Sequence, residues 1–475
     1  MRQICRILIL SAIVGMLRGQ QSGYEVVHIT ELARHGARNT ITSLVGAKIP
    51  DLPLGALTPN GMRMHFNLGT QIRSMYPTIF NSNLKPNEAV VKASSSPRCI
   101  MSATSHLMGI FPLGTMENVT ADTNSPYVLP PIANFSAQNT TMSSALPFAY
   151  KPYYLEIESY ELNTLFFPDL EINCPGMFKT WIENYRRLNR KYEAEAKPIS
   201  DMLKAAGFDP KTIAGADSFN MSKLGEIYDE VAAYMNHTGA LPKGISQEIW
   251  NRLYDIGNVD FSAWYLDDRQ FLNFITDRMS REFIASFDDV VTGAKNKTKY
   301  QYYSGHDTNV HAFTMAFNRS DTACLAEIMN TGKSSKPCER IPRYASSYIF
   351  EISKKSGTED HFVRVLYNGK PISVCSSNQD LHYCAYKDFK SLIENSFYLK
   401  KISPYVYCAN PLTEPGVEQD NIFMSVPVYI WIGMAATFLL LAAIAILMVA
   451  FESKIRHYLL KQQGIVIKNE SLLSV

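Results

Sequence analysis

Arg34, His35 and Arg38 fall within the stretch Arg34-His35-Gly36-Ala37-Arg38, directly after the apolar run Tyr24-Glu25-Val26-Val27-His28-Ile29-Thr30. Two guanidinium groups beside one imidazole repel protonation of that imidazole, and burying them without an anion is costly. The arrangement becomes favourable when the partner is a phosphate. Phosphoryl transfer spreads charge over non-bridging oxygens, so its catalysis is mostly positioning plus fixed positive charge. Arg34, Arg38 and the later Arg98 offer that charge as planar forks. His35, kept neutral by these cations, is a candidate nucleophile at mildly acidic pH. Asp307 is a candidate proton donor to the leaving alkoxide, and His306 a further hydrogen-bond donor to the phosphate.

Three segments that carry these residues share one grammar: an apolar β-type run, a polar turn, then a helix-period stretch. They are Glu25–Ile29 before Arg34–Arg38, Ala89–Ala93 before Ser94–Arg98 and the helix-like Cys99–Phe111, and Tyr300–Tyr303 before Ser304–Asp307 and the helix-like Thr308–Phe317. Strands alternating with helices predict an α/β fold with a mostly parallel sheet flanked by helices. Ligands in such sheets bind beyond the carboxyl ends of the strands, where helix N-termini favour an anion. Asp307 doubles as a candidate helix N-cap. Residues 151–295 are rich in helical periodicity and read as an inserted, mainly helical cap. Ser347–Ile352 and Phe362–Tyr367 alternate like late, antiparallel strands. His28, His65, His106 and His311 have no companion motif and read as packing or surface residues. Asp267-Asp268 and Asp288-Asp289 read as solvated or capping pairs.

The Arg34–Arg38 segment, the Arg98 segment and Tyr303-Ser304-Gly305-His306-Asp307-Thr308 resemble, in order, the three signatures of the histidine acid phosphatase family. Leu57-Thr58-Pro59-Asn60-Gly61-Met62, Val365-Leu366-Tyr367-Asn368 and Asn173-Cys174-Pro175 resemble family stretches as well, so the likeness runs from about residue 24 to 410. It is nearest to the membrane-anchored lysosomal and the prostatic-type members. The resemblance implies the phosphoglycerate-mutase-like histidine phosphatase fold and hydrolysis of small-molecule or protein phosphate monoesters through a phosphohistidine. His35 is then the nucleophile, Asp307 the proton donor, and Arg34, Arg38, Arg98 and His306 the phosphate ligands. It implies no metal and no cofactor. Thr40 stands where many members carry Pro, Gly305 where many carry Ala, and Pro97-Arg98-Cys99 departs from the usual context of the third arginine; these changes leave the chemical groups intact. A phytase-like or inositol-polyphosphate phosphatase is the alternative with the same machinery, although the insertion has no dense Lys/Arg cluster. A non-catalytic cell-surface binding protein is the alternative of another class.

The chain ends set the compartment. Arg2 and Arg6 precede an apolar run to Leu17, which reads as a signal peptide over 1–19. The core is expected over 20–150 and 296–410, a stalk over 411–425, a transmembrane helix over 426–451 and a cytosolic tail over 452–475. Lys454, Arg456 and Lys461 follow the apolar span, while Glu414, Glu418 and Asp420 precede it, so the positive-inside rule keeps the large part lumenal or extracellular. Asn118, Asn134, Asn139, Asn220, Asn236, Asn296 and Asn318 lie in glycosylation sequons on that side. A single-pass type I membrane protein of the lysosome or plasma membrane is expected, and a homodimer is left open. The net charge of +2 gives no support for a nucleic-acid partner. After Cys5 leaves with the signal, an oxidising compartment should pair most of the other cysteines. Cys324 with Cys338 and Cys375 with Cys384 are short-range candidates, Cys174 with Cys408 a long-range clasp, and Cys99 the free thiol; other connectivities remain open.

Overall fold

The structure, a computed structural model, describes residues 23–80, 84, 86–112, 153–158, 165–166, 174–266, 268–294, 298–375, 382–400 and 408. The expected signal, stalk, membrane span and tail lie outside them, as do Asn118, Asn134, Asn139 and Asn296. Among the described residues, no helix is long and apolar enough to cross a membrane.

The central strand β1 (Tyr24–Arg34) is buried on both faces from His28 onward. It runs longer than the apolar stretch predicts because Glu31 hides the continuation. That carboxylate is fully buried, accepts from Tyr300 Oη at 3.3 Å and lies 3.3 Å from His106 Nε2. Arg34 is therefore the last residue of the strand rather than the first of a turn. β2 (Ala89–Ala93), the short β3 (Glu156–Ile157) and β4 (Tyr300–Gly305) join β1 in the parallel order β3-β2-β4-β1.

The expectation of a mostly parallel sheet needs correction. β5 (Ser347–Lys355) pairs β1 antiparallel, and β6 (His361–Tyr367), β7 (Lys370–Ile372) and β8 (Tyr383–Ala385) extend that half, also antiparallel. The sheet is mixed. Only residues 356–360 separate β5 from β6, and a connection that short joins antiparallel neighbours, whereas parallel ones need a crossover.

Helices cover both faces. α1 (Pro59–Met75) and α2 (Pro97–Ile110) bury Ile72, Ala103 and Leu107 against Ile29, Ala33, Val91 and Tyr302. Among the described residues, six helices lie between β3 and β4: α3 (Pro175–Lys191), α4 (Glu193–Ala205), α5 (Pro210–Ala214), α6 (Met221–Thr238), α7 (Gln247–Leu266) and α8 (Arg269–Val291). Residues of α3, α4, α6 and α7 form a core of their own, but Phe274, Phe283 and Phe287 of α8 pack with Leu32, Tyr303 and Phe350 on the second face of the sheet. That face is completed by α9 (Asp307–Ala316) and α11 (Tyr386–Ser396), while α10 (Thr322–Thr331) joins the separate core of α3, α4, α6 and α7. α6 and α7 cross closely through two glycines. A Cβ on Gly225 would come 2.0 Å from Asp260 Oδ2, and one on Gly257 would come 2.2 Å from Tyr228 Cδ1.

Disulfides join Cys174 to Cys408, Cys324 to Cys338 and Cys375 to Cys384, and Cys99 is free and buried. Asn220, Asn236 and Asn318 are exposed. His28, His65, His106 and His311 are fully buried and hydrogen-bonded, so they belong to packing rather than to the surface. Asp268 caps α8 through Gln270 N at 2.7 Å, and Asp288 accepts from Tyr386 Oη at 2.7 Å.

Candidate active site

The strand register brings the three polar turns together. Arg34 is level with Gly305 across β1 and β4, and Ala93 is level with Ser304 across β2 and β4. The turns are then tied to one another: His35 N donates to Gly305 O at 2.9 Å and Ser94 N to Ser304 O at 3.1 Å. The Leu57–Met62 stretch locks the first turn from the other side. Thr58 Oγ1 donates to Ala37 O at 2.9 Å and accepts from Gly61 N at 3.1 Å. Gly36 and Gly61 are required by this close approach, because a Cβ on Gly36 would come 2.3 Å from Gly61 O.

His35, His306, Arg34, Arg38, Arg98 and Asp307 all meet at this edge. The His35 and His306 rings are 5.7 Å apart, edge to face. His35 Nδ1 lies 2.8 Å from Gly36 O. A carbonyl only accepts, so Nδ1 carries the proton and the Nε2 lone pair is left for chemistry. Burial first, then Arg98, Arg34, His306 and Arg38, holds the His35 imidazole well below its ordinary value, so the ring is neutral.

The cations are held in place from below and from the side. Arg34 Nη1 donates to Pro342 O at 2.6 Å, its Nη2 meets Asp307 Oδ2 at 2.6 Å, and its guanidinium lies 4.3 Å from the centre of the Tyr344 ring. Arg38 Nη2 donates to both carboxylate oxygens of Asp229, at 2.8 and 2.9 Å. Burial would lower the Arg38 pKa, but Asp229 and its neighbours outweigh it and raise the value. Arg98 Nη2 lies 3.4 Å from His306 Nδ1. The Nε atoms of Arg34, Arg38 and Arg98 are buried with no hydrogen-bond partner among the described residues. The three guanidinium groups line one cavity, where a tetrahedral oxyanion suits them as a partner.

His306 is the residue before α9 and so takes the N-cap position, with its N–H donating to Asn309 Oδ1 at 3.0 Å. Asp307 stands at the first helical position and is not the cap. Its Oδ1 accepts from Thr308 N at 3.0 Å. Burial would raise the Asp307 pKa; the charges of Arg34, Arg38, His306 and Arg98 overcome that and lower it, so the carboxyl is ionised in the free site. His306 Nε2 lies 2.8 Å from Ser94 Oγ, and burial with Arg98 drops its pKa to about 3.

Four participants are not visible as site residues in the sequence. Asp229 sits on α6, far away in the chain. Tyr344 lies under Arg34. His65 Nε2 lies 3.0 Å from Arg34 O and steadies the backbone next to His35. Cys99 Sγ packs 3.7 Å from His306 Nε2, and burial pushes that thiol up to about 12, so it serves as an inert wall. Among the described residues no group of acidic, histidine or cysteine side chains has the geometry to hold a metal ion.

The family model "Histidine phosphatase superfamily (branch 2)" matches residues 25–368. The prostatic acid phosphatase of Bos taurus is 21% identical over 77% of this chain and 82% of its own length. The lysosomal acid phosphatase of Xenopus laevis is 22% identical over 78% of this chain and 76% of its own. Among solved structures, the multiple inositol polyphosphate phosphatase of Bifidobacterium longum superposes with a TM-score of 0.52 at 13% identity, covering 80% of this chain and 95% of that one. At that identity the match speaks for the fold.

Proposed function

The chain belongs to branch 2 of the histidine phosphatase superfamily, and from that we propose that it is an acid phosphatase, which hydrolyses phosphate monoesters through a phosphohistidine on His35. The observation that carries the reading is the convergence, at one sheet edge, of a neutral His35 with its Nε2 lone pair, the guanidinium groups of Arg34, Arg38 and Arg98 lining one cavity, and the Asp307 carboxyl.

Arg34, Arg38 and Arg98 bind the non-bridging oxygens, and His35 Nε2 attacks phosphorus. The ester P–O bond breaks as Asp307 gives its proton to the leaving oxygen. Water then attacks the phosphohistidine, Asp307 takes a proton from it, the P–N bond breaks and inorganic phosphate departs. Asp307 is ionised in the free site because of its cationic neighbours. A bound phosphate offsets those cations, lifts the carboxyl's pKa and lets it arrive protonated, which suits an acidic medium. As Arg98 turns to the phosphate, the Ser94 hydroxyl can rotate to donate to His306 Nε2, leaving Nδ1–H for a phosphate oxygen.

The phytase-like alternative finds less support. Beyond the three cradle arginines the cavity wall adds Arg343 as a cation, against the carboxylates of Glu226 and Asp229, while burial raises Asp260 well above the ordinary carboxylate range. The binding-protein alternative has no use for both His35 and Asp307. The apolar stretch 426–451 and the sequons support a type I membrane protein with this site lumenal or external, in the lysosome or at the cell surface. The test is release of phosphate from p-nitrophenyl phosphate near pH 5 by the detergent-solubilised full chain and by His35→Ala. Equal slow release by both overturns the reading.

A further inference from the structure

Resting on the phosphomonoesterase reading, we propose that Asp229 is a specificity-determining residue: it turns away substrates that carry a second phosphate, and leaves the site to monophosphates of uncharged, ring-bearing alcohols.

The cavity of about 940 Å³ has two unlike ends. One is the arginine cradle. The other is the wall made by α6 and α7, where Tyr228 and Trp250 stack with ring centres 5.7 Å apart and interplanar angle 15°, and Tyr254 stands 5.9 Å from Tyr228. These side chains give that end of the cavity an aromatic lining suited to a ring. Asp229 sits between the two ends, with about a third of its side chain exposed (32%) and both oxygens on Arg38. In the free site its charge is balanced by that guanidinium. Once a substrate phosphate engages Arg38, one cation is shared by two anions. The Asp229 side then faces the rest of the substrate with net negative charge. Glu226, one turn back on α6, is already paired with Lys223 at 2.7 Å, and Arg340 is paired with Asp255 at 2.8 Å. Among the described residues, the cavity wall outside the cradle carries one further cation, Arg343, against the carboxylates of Glu226 and Asp229.

A merely structural Asp229 would orient Arg38 for every substrate alike. A charge filter changes the ratio between substrates instead. The experiment measures kcat/KM of the full chain for p-nitrophenyl phosphate and for inositol hexakisphosphate at pH 5, in wild type, Asp229→Asn and Ala232→Lys. Ala232 lines the same wall one turn after Asp229, and the lysine leaves the Arg38 pair in place. The expected result is a rise of about tenfold or more in the polyphosphate-to-aryl ratio in both variants, the size set by removing or opposing one charge at partly screened distance. A ratio unmoved in Asp229→Asn, with both substrates slowed equally, overturns the proposal and leaves Asp229 as an orienting residue. If Asp229→Asn does not fold, an unmoved ratio in Ala232→Lys overturns it. Wild type inert toward the aryl ester refutes the phosphatase reading itself.

Discussion

Asp307 carries two loads that one isosteric substitution separates. Its Oδ2 lies 2.6 Å from Arg34 Nη2, so the carboxylate competes with substrate phosphate for that guanidinium. It is also the assigned proton donor. Asp307→Asn keeps the shape and removes both the acid and the charge. Losing the acid slows esters with poor leaving groups by about 10²–10⁴ in kcat, the usual contribution of a positioned general acid. An ester of p-nitrophenol needs little help, since its phenolate leaves unprotonated. Losing the charge works the other way. A carboxylate that stayed ionised roughly 5 Å from a bound phosphate charge would cost about 3 kcal/mol at an effective dielectric near 20, and taking up a proton on binding lowers that cost. Screening and partial exposure reduce this, so inorganic phosphate should inhibit the variant about tenfold more tightly. The assay is initial rates at pH 5 across aryl phosphates of graded leaving-group acidity plus one alkyl phosphate, with phosphate as competitive inhibitor. A uniform loss across the series removes the proton-donor role. Weaker phosphate inhibition refutes the competition for Arg34.

Three other outcomes follow from the packing. Gly36→Ala should abolish activity and lower stability by about 3 kcal/mol or more in urea unfolding, because the new methyl meets the Gly61 carbonyl; a wild-type midpoint would contradict this. The ligand-free protein should lose thermal stability as pH falls from 7.5 to 5. Burial lowers His28 and His311 to about 4, His65 and His306 to about 3, and His35 well below its ordinary value. Such groups bind protons in the unfolded chain first, so their stabilisation fades below pH 6.5, by about 2 kcal/mol each at pH 5. Asp260 and Glu158, raised by burial, oppose the trend; a melting temperature that does not fall over this range would show that the histidines do not dominate. Native Cys99 should resist iodoacetamide at pH 8 and label only after unfolding; rapid labelling mapped to Cys99 would contradict its burial.

The legible part of this protein is what is contiguous in the chain. β2 spans Ala89–Ala93, the apolar run read from the sequence, and the cradle residues lie at or just beyond three strand ends. The sheet was harder to read, because a buried Glu31 interrupts the apolar pattern of β1 and strand direction depends on connections. Asp229 was not legible for a physical reason. In Ile227-Tyr228-Asp229-Glu230 it reads as the solvated face of an amphipathic helix, and only the fold brings it to Arg38. Glu230, next to it, is equally deceptive: it is fully buried and accepts from Leu44 N at 2.5 Å and Ala47 N at 2.7 Å, fastening the loop that follows Arg38. His65 and Tyr344 likewise act through neighbours that are remote in sequence.

On the proposed mechanism, phosphorus passes from the ester oxygen to the imidazole of His35 and forms a covalent P–N bond. Rapid mixing with ³²P-labelled substrate, followed by a denaturing quench and peptide mapping, reads this directly. The expected product is an acid-labile, alkali-stable label on the peptide that holds His35, absent from His35→Ala. Turnover without any such label, or a label that persists in His35→Ala, would contradict it.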